Sequence, residues 1–381
     1  DAAALAWSLP AAELVAREGQ IVHEASGRAA PFAEFAAAAG RMDPPYTPRL
    51  KRPEEFRIMG RSVPRHDIPG KVDGSARFGI DADVPGMNIA TIQAAPVFGA
   101  RLASVDDHAA RSIKGVVDVV QLDDAVAVVA DGYWAAKRAL AAVNVHWTSP
   151  VEAGVSQDQI FAQFDRDMAK AVADGDEKID VSRGDVNLGF AEAASMLEAT
   201  YRVPYLAHAC MEPMNATVAI SGDQCEVWIG SQNPLGTRYS VAGALEMDPR
   251  KVTVHNHVMG GGFGRRSQDD AAIQAALIAK AVGQPIKLIW SREEDVRHDH
   301  YRPAVTSRFK AALDANGVPL AWENQYVDKH EPAEAPHIPY GIANQQIHYA
   351  DSPTHVPFGA WRSVDHSQHG FFTESFMDEL A

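Results

Sequence analysis

The stretch from Val258 to Asp270 reads VMGGGFGRRSQDD, with three consecutive glycines, a phenylalanine, a fourth glycine and two arginines. The residues before the glycines, Lys251 to Met259, alternate in polarity as a strand would. The residues from Asp269 to Val282 place apolar side chains at helical spacing and end before Gly283, as expected just after a helix. The stretch is therefore predicted to be a strand-to-helix turn in a fold of the α+β or α/β class.

Residues 260–264, which we call the glycine loop, have two interpretations. Free N–H groups at a helix start favour anions, and glycines let the backbone approach a ligand without Cβ clashes. Arg265 and Arg266 would then add charge-assisted hydrogen bonds to a phosphate. Alternatively, the glycines make only a tight turn. The spacing G-x-G-x-x-G is absent and no Lys-Ser/Thr pair ends the loop, so it is neither a dinucleotide fingerprint nor a Walker loop.

Composition limits the remaining classes of function. A chain of 381 residues, 46% apolar and 22% charged, buries a large core and predicts two or three domains. Its formal net charge of -15 argues against a nucleic-acid partner or an anionic membrane surface. No apolar run approaches the roughly 20 residues that span a bilayer, so no transmembrane segment is expected. No basic-then-apolar leader opens the sequence, which leaves the compartment unmarked.

The chain has two cysteines, Cys210 and Cys225. Two are too few for a disulfide scaffold, a four-cysteine zinc site or an iron-sulfur site within this chain. A single disulfide between them stays open. The segment YLAHACMEPMNAT also places His208, Cys210 and Glu212 at alternate positions, where a strand would turn all three toward one side and toward a metal. A polar strand edge beside Pro213 is the favoured interpretation of that segment.

Two further patterns carry little chemistry alone. The segment VPFGAWRSVDHSQ sets Trp361 beside Arg362, which by itself is typical of a surface salt bridge. The histidine pairs of HNH from His255 and HDH from His298 lack a third ligand at the usual spacing, so ordinary solvated or paired histidines are expected.

Periodicity predicts most other elements. Helices are expected over Leu9 to Leu14, Pro31 to Ala39, Tyr133 to Val143, a segment opened by a Ser156–Gln159 capping box, and a last segment with Phe372, Phe376 and Leu380 on one face. Strands are expected over Gln20 to His23, Ala76 to Ile80, Ala90 to Ile92, Gly115 to Leu122 and Ala125 to Val129, and a hairpin over Arg308 to Val327 that turns at Asp314 to Gly317.

Four segments occur in the order and approximate spacing of the xanthine oxidase family of molybdenum hydroxylases. They are HACMEPMNAT from His208, SQNP from Ser231, VMGGGFGRR from Val258 and GAWRSVDHSQ from Gly359. The chain resembles this family along its whole length. Within the family, the chain resembles the isoquinoline 1-oxidoreductase large-subunit branch, which includes related aldehyde dehydrogenases. The features that carry this resemblance are the double arginine after GGGFG, the segment SREEDVRHDHYRPA from Ser291 and the tryptophan before Arg362.

The resemblance implies a role for each matching residue. Gln232 would hydrogen-bond an oxo ligand of molybdenum, and Arg362 would lie on the other side of the cofactor. The glycine-loop positions implied to line the cofactor are Gly261, Gly262, Phe263 and Gly264, followed by Arg265 and Arg266 as contacts for its phosphates. Ser267 and Val364 stand where xanthine-type enzymes have a substrate-binding glutamate and a stacking phenylalanine, which argues against purine hydroxylation. The family's general-base carboxylate is expected beyond Ala381.

The resemblance also implies an organisation and partners. Residues 1–45 would end a first cofactor-domain segment, 46–56 a linker, 57–149 a small α/β hammerhead domain, 150–190 a connector, and 191–381 the first part of a molybdopterin-binding domain of mixed sheets and helices. The implied cofactor is molybdenum-molybdopterin in its cytosine dinucleotide form. Electrons would pass to iron-sulfur clusters on a small partner subunit, and other segments of the large subunit would complete the protein. The implied location is periplasmic or membrane-associated, with the cytoplasm as the alternative.

The function expected is hydroxylation of an aldehyde or an N-heterocyclic aromatic, with water as the oxygen source. Two other hypotheses are weighed against it. The chain is alternatively a non-catalytic fragment or degenerate paralogue that serves as an interaction domain, which the missing carboxylate favours. A nucleotide-binding dehydrogenase that uses the glycine loop is disfavoured, because no acidic residue ends a following strand in the usual pattern.

Overall fold

The computed structural model describes residues 1–48, 50–150, 153–328 and 334–381. The helices are α1 Ala2–Trp7, α2 Phe32–Ala39, α3 Ile68–Asp73, α4 His108–Arg111, α5 Tyr133–Leu140, α6 Gln157–Asp174, α7 Val186–Ala191, α8 Pro234–Leu245, α9 Asp270–Val282, α10 Arg292–Arg297 and α11 His366–Leu380. Short 3-10 turns cover Ala11–Glu13, Pro53–Glu55, Gly79–Asp81, Pro249–Lys251 and Arg265–Ser267.

The strands belong to four sheets of mixed size. They are β1 Leu14–Arg17, β2 Gln20–His23, β3 Arg28–Pro31, β4 Asn88–Ala94, β5 Leu102–Asp106, β6 Val116–Gln121, β7 Ala125–Ala130, β8 Asn144–Trp147, β9 Lys178–Arg183, β10 Ser195–Val203, β11 Asn215–Ser221, β12 Gln224–Ile229, β13 Val252–Asn256, β14 Ile286–Ile289, β15 Val305–Leu313, β16 Pro319–Asp328 and β17 Asn344–Asp351. The predicted class of mixed sheets and helices is confirmed.

The chain divides into two units, Asp1–Pro69 and Gly70–Ala381. The first unit holds the antiparallel sheet β1-β2-β3. Trp7 of α1 and Phe35 of α2 are both buried in this unit and pack edge to face, with ring centroids 5.3 Å apart. Burial of two aromatic rings is the main apolar stabilisation that such a small unit can gain.

The second unit is built on a seven-stranded sheet with the order β13-β12-β11-β14-β4-β7-β6. All six residues of β7, AVAVVA, are buried, as a continuous apolar run predicts for a central strand. Helix α9 packs on β11 and β14 and against α8. Strand β4, from the predicted hammerhead segment, pairs in parallel with β14, from the predicted molybdopterin-binding segment.

A five-stranded sheet, β10-β15-β16-β17-β9, forms the other large layer. Its β15–β16 hairpin turns where predicted, and Asp314 Oδ1 accepts hydrogen bonds from the N–H groups of Asn316 and Val318, each at 2.8 Å. Helix α11 covers this sheet with the predicted apolar face, since Phe372 and Phe376 are fully buried and Phe376 lies 5.1 Å from Trp322. The two-stranded sheet β5-β8 completes the unit.

Three predicted elements are wrong. The segment from Ala76 to Ile80 is not a strand but leads into a 3-10 turn at Gly79, whose backbone lies so close to the Gly230 N–H that an added Cβ would approach it to 2.8 Å. The helical pattern over Leu9 to Leu14 gives only a 3-10 turn, because Leu14 pairs with His23. The third, the strand over YLAHACMEPMNAT, begins only at Asn215. In each case a tertiary contact outweighs local preference.

The predicted domain boundaries stay predictions. The division at Pro69 lies inside the segment expected to be the hammerhead domain, and strands from both sides of residues 150–190 share one sheet. In the four described ranges, no helix is both long enough and apolar enough to cross a bilayer.

Candidate active site

Three loops meet at one edge of the seven-stranded sheet because of how its strands pair. Strands β12 and β13 are parallel, so their carboxyl ends, at Ile229 and Asn256, lie side by side. Strand β11 runs antiparallel to β12, and its first residue Asn215 lies opposite Ile289 at the end of β14. The loops 230–233 and 257–264 and the loop 204–214 therefore emerge together, and carboxyl ends of strands are where α/β sheets bind ligands.

The glycine loop is shaped by close backbone contacts. Gly264 has a φ of 107°, its N–H donates to Gln232 Oε1 at 3.0 Å, and an added Cβ would lie 1.8 Å from the Ala360 carbonyl oxygen. An added Cβ on Gly262 would lie 2.8 Å from Gln232 Oε1. Only glycine fits position 264, and a side chain at position 262 would force the Gln232 side chain to move, so packing against loops 230–233 and 357–365 restricts both positions.

Three backbone donors of this loop are free. The N–H groups of Gly261, Gly262 and Phe263 find no acceptor among the residues that the structure describes, whereas the flanking N–H groups of Gly260 and Gly264 bond Glu212 Oε2 and Gln232 Oε1. Gly261 and Gly262 are partly buried and Phe263 is exposed. Consecutive unpaired N–H groups on a partly buried loop form a polar cradle that a ligand with acceptor atoms would fill.

The phosphate role predicted for Arg265 and Arg266 does not fit the structure, because both side chains point inward and are 1% exposed. The Arg265 guanidinium is shared by two carboxylates, with distances of 2.7 Å to Asp270 and 2.9 Å to Asp299. Arg266 donates to the carbonyl oxygens of Gly261 and Glu212, each at 2.8 Å. These two arginines hold the glycine loop from behind, and their charges are used within the protein.

Helix α9 begins where predicted, but the glycine loop does not lie at its first turn. A 3-10 turn, Arg265–Ser267, separates the glycine loop from α9, so the loop is not the first turn of the helix. Asp269 stands at the N-cap position of α9, but its carboxylate makes no capping bond and accepts hydrogen bonds from Thr237 at 2.6 Å and Ser240 at 2.8 Å. Burial alone would raise the pKa of Asp270, but the Arg265 guanidinium outweighs that effect and the pKa is lowered. Two carboxylates at this terminus would repel an anion, so the free amides of the loop are the anion-tolerant part.

The remaining predicted residues lie around the glycine loop. Gln232 is exposed, and its Nε2 has no protein acceptor within the described ranges. Arg362 is also exposed, and its guanidinium makes no hydrogen bond or ion pair with any residue that the structure describes. The Ser267 hydroxyl donates to the Gly264 carbonyl at 2.6 Å, and Val364 is 62% exposed. Ser267 therefore supports the loop, while the Gln232 Nε2, the Arg362 guanidinium and the Val364 side chain are available to a ligand.

Beneath these side chains lies a charged network that the sequence analysis missed. His208 Nδ1 is 3.0 Å from both oxygens of Asp299, and its Nε2 donates to the Ala360 carbonyl at 2.9 Å. Glu212 accepts from the N–H groups of Gly260 and Ile80 and pairs with Arg266 at 3.1 Å. Nothing in the spacing links Asp299 to Arg265, because the two residues meet only after the sheet has formed.

The structure has no disulfide between the two cysteines. Cys210 and Cys225 are both free and buried, and Cys225 lies within β12. Burial raises the pKa of the Cys225 thiol to about 11 and also raises that of Cys210. His208, Cys210 and Glu212 turn to different partners, and no group of three metal-ligating side chains was found in the described part of the chain.

Residues 169–381 match the family described as the molybdopterin cofactor-binding domain. Isoquinoline 1-oxidoreductase subunit beta of Brevundimonas diminuta is 30% identical, over 100% of this chain and 56% of that protein. The membrane-bound aldehyde dehydrogenase (pyrroloquinoline-quinone) of Gluconacetobacter polyoxogenes is 32% identical, over 79% of this chain and 40% of that protein.

The crystal structure of the aldehyde oxidoreductase from Desulfovibrio desulfuricans is similar in fold, with a TM-score of 0.67 and 20% identity. That match covers 87% of this chain and 43% of the solved chain. The chain thus spans about half the length of the relatives it matches.

Proposed function

Because the chain belongs to the molybdopterin cofactor-binding domain family, within the xanthine oxidase family of molybdenum hydroxylases, we propose that it forms part of a molybdenum enzyme's active site. The proposed reaction hydroxylates an aldehyde or an N-heterocyclic aromatic compound, with water as the source of oxygen. The single observation that carries this proposal is the row of three free N–H groups at Gly261, Gly262 and Phe263, flanked by Gln232.

The donor set fits a pterin-molybdenum cofactor. The group's pterin and phosphates present many acceptor atoms, and the free amides and Gln232 Nε2 are neutral donors for them. When bound, the cofactor supplies the two-electron redox chemistry, while the protein binds and orients it. The pterin holds the metal, so this chain needs no histidine or cysteine ligand.

Residue roles follow from this placement. Gln232 would donate from Nε2 to the bound cofactor while its Oε1 is held by the Gly264 N–H at 3.0 Å. Gly261, Gly262, Phe263 and Gly264 would line the cofactor through the backbone. Arg362 would bind from the opposite wall, since its guanidinium is free among the described residues. Arg265 is better assigned to the support of the loop than to cofactor contact, since its guanidinium is buried.

The substrate side is proposed to be neutral and weakly polar. Val364 is largely exposed, and the Ser267 hydroxyl is occupied by the Gly264 carbonyl. Neither of these two positions carries a carboxylate that could bind a purine, which supports an aldehyde or a simple aromatic heterocycle. The names of two relatives, an isoquinoline oxidoreductase subunit and an aldehyde dehydrogenase, agree with these two substrate classes.

The partners and location are part of the same proposal. Two buried cysteines cannot hold iron-sulfur clusters, so a small iron-sulfur subunit would accept the electrons, and other segments of the large subunit would complete the site. A relative named as a subunit and a relative named as membrane-bound support a heteromeric assembly and a periplasmic or membrane-associated location. The cytosine dinucleotide is the form of the cofactor that we propose.

Metal and pterin analysis of the protein purified with its partner chains tests the proposal. We expect about one molybdenum and one pterin dinucleotide per chain, since the site has a single cradle. Protein from cells grown with tungstate in place of molybdate is the matched control and should lose activity but keep its pterin. Absence of molybdenum and pterin, or pyrroloquinoline-quinone in their place, would reject the proposed function.

A further inference from the structure

The loop that carries Trp361 and Arg362 is joined to the glycine loop by a buried chain of hydrogen bonds and an ion pair. We propose that His208 is the positioning residue that locks these two walls of the site together. The inference concerns how the site is held, and it rests on the proposed function only for its expected effect on turnover.

His208 is held on three sides. Its Nε2 donates to the Ala360 carbonyl at 2.9 Å, and its Nδ1 lies 3.0 Å from each oxygen of Asp299. Its ring also lies against Trp361, with centroids 4.4 Å apart. The side chains of His208 and Asp299 are 0% and 1% exposed, so water does not compete for these bonds.

The same chain of contacts continues to the glycine loop. Asp299 pairs with the Arg265 guanidinium at 2.9 Å, and that guanidinium is fixed by Asp270 at 2.7 Å and lies over the Trp290 ring. Arg265 directly follows Gly264, whose Cα hydrogen points at the Ala360 carbonyl so closely that a Cβ would lie 1.8 Å from that oxygen. The contacts therefore close a ring from Ala360 through His208, Asp299 and Arg265 back to Gly264.

The loop 357–365 has a strained backbone that only its surroundings can hold in place. Ser363, Val364 and Asp365 have φ angles of 71°, 42° and 63°, a conformation that costs non-glycine residues of order 1 kcal/mol or more each. Backbone of this kind persists only where its surroundings hold it. The Arg362 side chain makes no bond of its own to the described residues, so its direction is set through Ala360. His208 is the side chain that binds the Ala360 carbonyl.

The test compares His208→Phe and His208→Gln with the wild-type protein. Phenylalanine keeps a ring against Trp361 but bonds neither Asp299 nor Ala360, while glutamine keeps one amide donor. His255→Gln is the matched control, because His255 also stacks on a tryptophan, Trp228, at 4.9 Å and bonds a carboxylate, but lies on β13. Hydrogen exchange of peptides from residues 357–365 is measured on the purified protein with and without cofactor.

We expect exchange in 357–365 to be about tenfold faster or more in His208→Phe, less affected in His208→Gln, and unchanged in His255→Gln. Trp361 emission should shift in the same order, with Trp361→Phe used to identify its share of the signal. In the loaded enzyme, kcat should fall about 10- to 100-fold in His208→Phe with molybdenum content per chain unchanged, because a displaced wall misaligns the substrate.

Unchanged exchange in 357–365 together with an unchanged kcat in His208→Phe would overturn the proposal. A fall in kcat that only tracks loss of molybdenum would also overturn it, since His208 would then be structural. If His208→Phe does not fold, the variants His208→Gln and Asp299→Asn are used for the same measurement. Hydrogen exchange of residues 357–365 at the wild-type rate in both variants would then overturn the proposal. A wild-type protein that contains no molybdenum would reject the proposed function. The hydrogen-exchange test of His208 would still apply, because exchange can be measured without the metal.

Discussion

Gly264 shows how one residue sets the geometry of the candidate site. Its φ of 107° lies where side chains are rarely tolerated, and it approaches Ala360 backbone to backbone. Its N–H fixes Gln232, and the next residue, Arg265, anchors the loop to the carboxylates of Asp270 and Asp299. The glycine loop is therefore held by bonds to its carbonyl groups and flanking side chains, while three of its amides have no acceptor among the described residues.

Replacing Gly264 with alanine should displace this wall. The new Cβ meets the Ala360 carbonyl at 1.8 Å in a backbone conformation that disfavours side chains, so we expect a loss of about 2 to 4 kcal/mol of unfolding free energy. Cofactor content should fall as well. Gly283→Ala is the control, because its φ is 70° but no atom lies within 4 Å, so only about 1 kcal/mol is at stake. Equal losses in chemical denaturation would show that the contact with Ala360 is not the cause.

Gln232 has two ends that substitutions can separate. Gln232→Glu keeps an acceptor for the Gly264 N–H but has no donor for the cofactor, whereas Gln232→Ala loses both. We expect both to lower kcat about 10- to 100-fold, with KM changed much less, if the donor acts during turnover. Steady-state kinetics on cofactor-loaded protein gives the split. A Gln232→Glu enzyme with normal kcat would remove the donor from the reaction.

At the scale of elements, strand pairing and helix ends decide what meets at the site. The parallel pair β12–β13 brings Gln232 and the glycine loop to one edge, and β11 adds the loop that carries His208 and Glu212. Helix α9 contributes an acidic start whose Asp270 is matched by Arg265. The helix terminus therefore binds the loop's own arginine, whereas three amides of the loop have no acceptor in the described part of the chain.

The Asp270–Arg265 pair predicts a pH dependence of stability. The pKa of Asp270 is lowered in the folded state, so its contribution is present above the unfolded pKa of about 3.9 and is lost as pH falls through the folded value. Asp270→Asn should cost about 2 kcal/mol near neutral pH, because Asp299 still pairs with Arg265. Urea unfolding from about pH 8 down to pH 3 should show this difference shrinking below about pH 4. A difference that stays constant or grows in acid would contradict the assignment.

At the scale of the whole molecule, the chain consists of two units with separate cores, Asp1–Pro69 and Gly70–Ala381. Between α2 and α3, the described residues form no strand and only one 3-10 turn, Pro53–Glu55. Arg57 and Arg61 lie in this segment and are exposed. Exposed backbone without hydrogen-bonded structure is the usual site of proteolytic cleavage.

Limited digestion with trypsin should therefore cut first after Arg57 or Arg61. The expected product is a stable fragment that begins near residue 58 or 62 and keeps the seven-stranded sheet and the candidate site. Mass spectrometry identifies the cut, and circular dichroism of the isolated fragment shows whether it stays folded. An Arg57→Gln, Arg61→Gln double variant is the control and should digest more slowly. First cleavage elsewhere, or rapid loss of the large fragment, would show that the units are not independent.

Several features of this protein follow from the sequence alone because they depend on neighbours in the chain. Helix α11 follows from the helical spacing of Phe372, Phe376 and Leu380. The start of α6 follows from the Ser156 cap, and the β15–β16 hairpin follows from the turn at Asp314. The motifs that resemble molybdenum hydroxylases identified the family, which the match over residues 169–381 confirms.

Other features were decided only by the tertiary structure. Arg265 and Arg266 follow a glycine run that suits phosphate, yet their direction depends on Asp299 and Glu212, which are distant in sequence and adjacent only once the sheet is formed. The segment from His208 to Glu212 alternates like a strand, but buried bonds to Asp299 and Gly260 hold it as a loop. The sequence determines periodic elements and recurrent motifs. The partner of a buried charge is set by long-range packing, because the cost of desolvation makes each buried charged side chain pair with a complementary group that packing brings close to it.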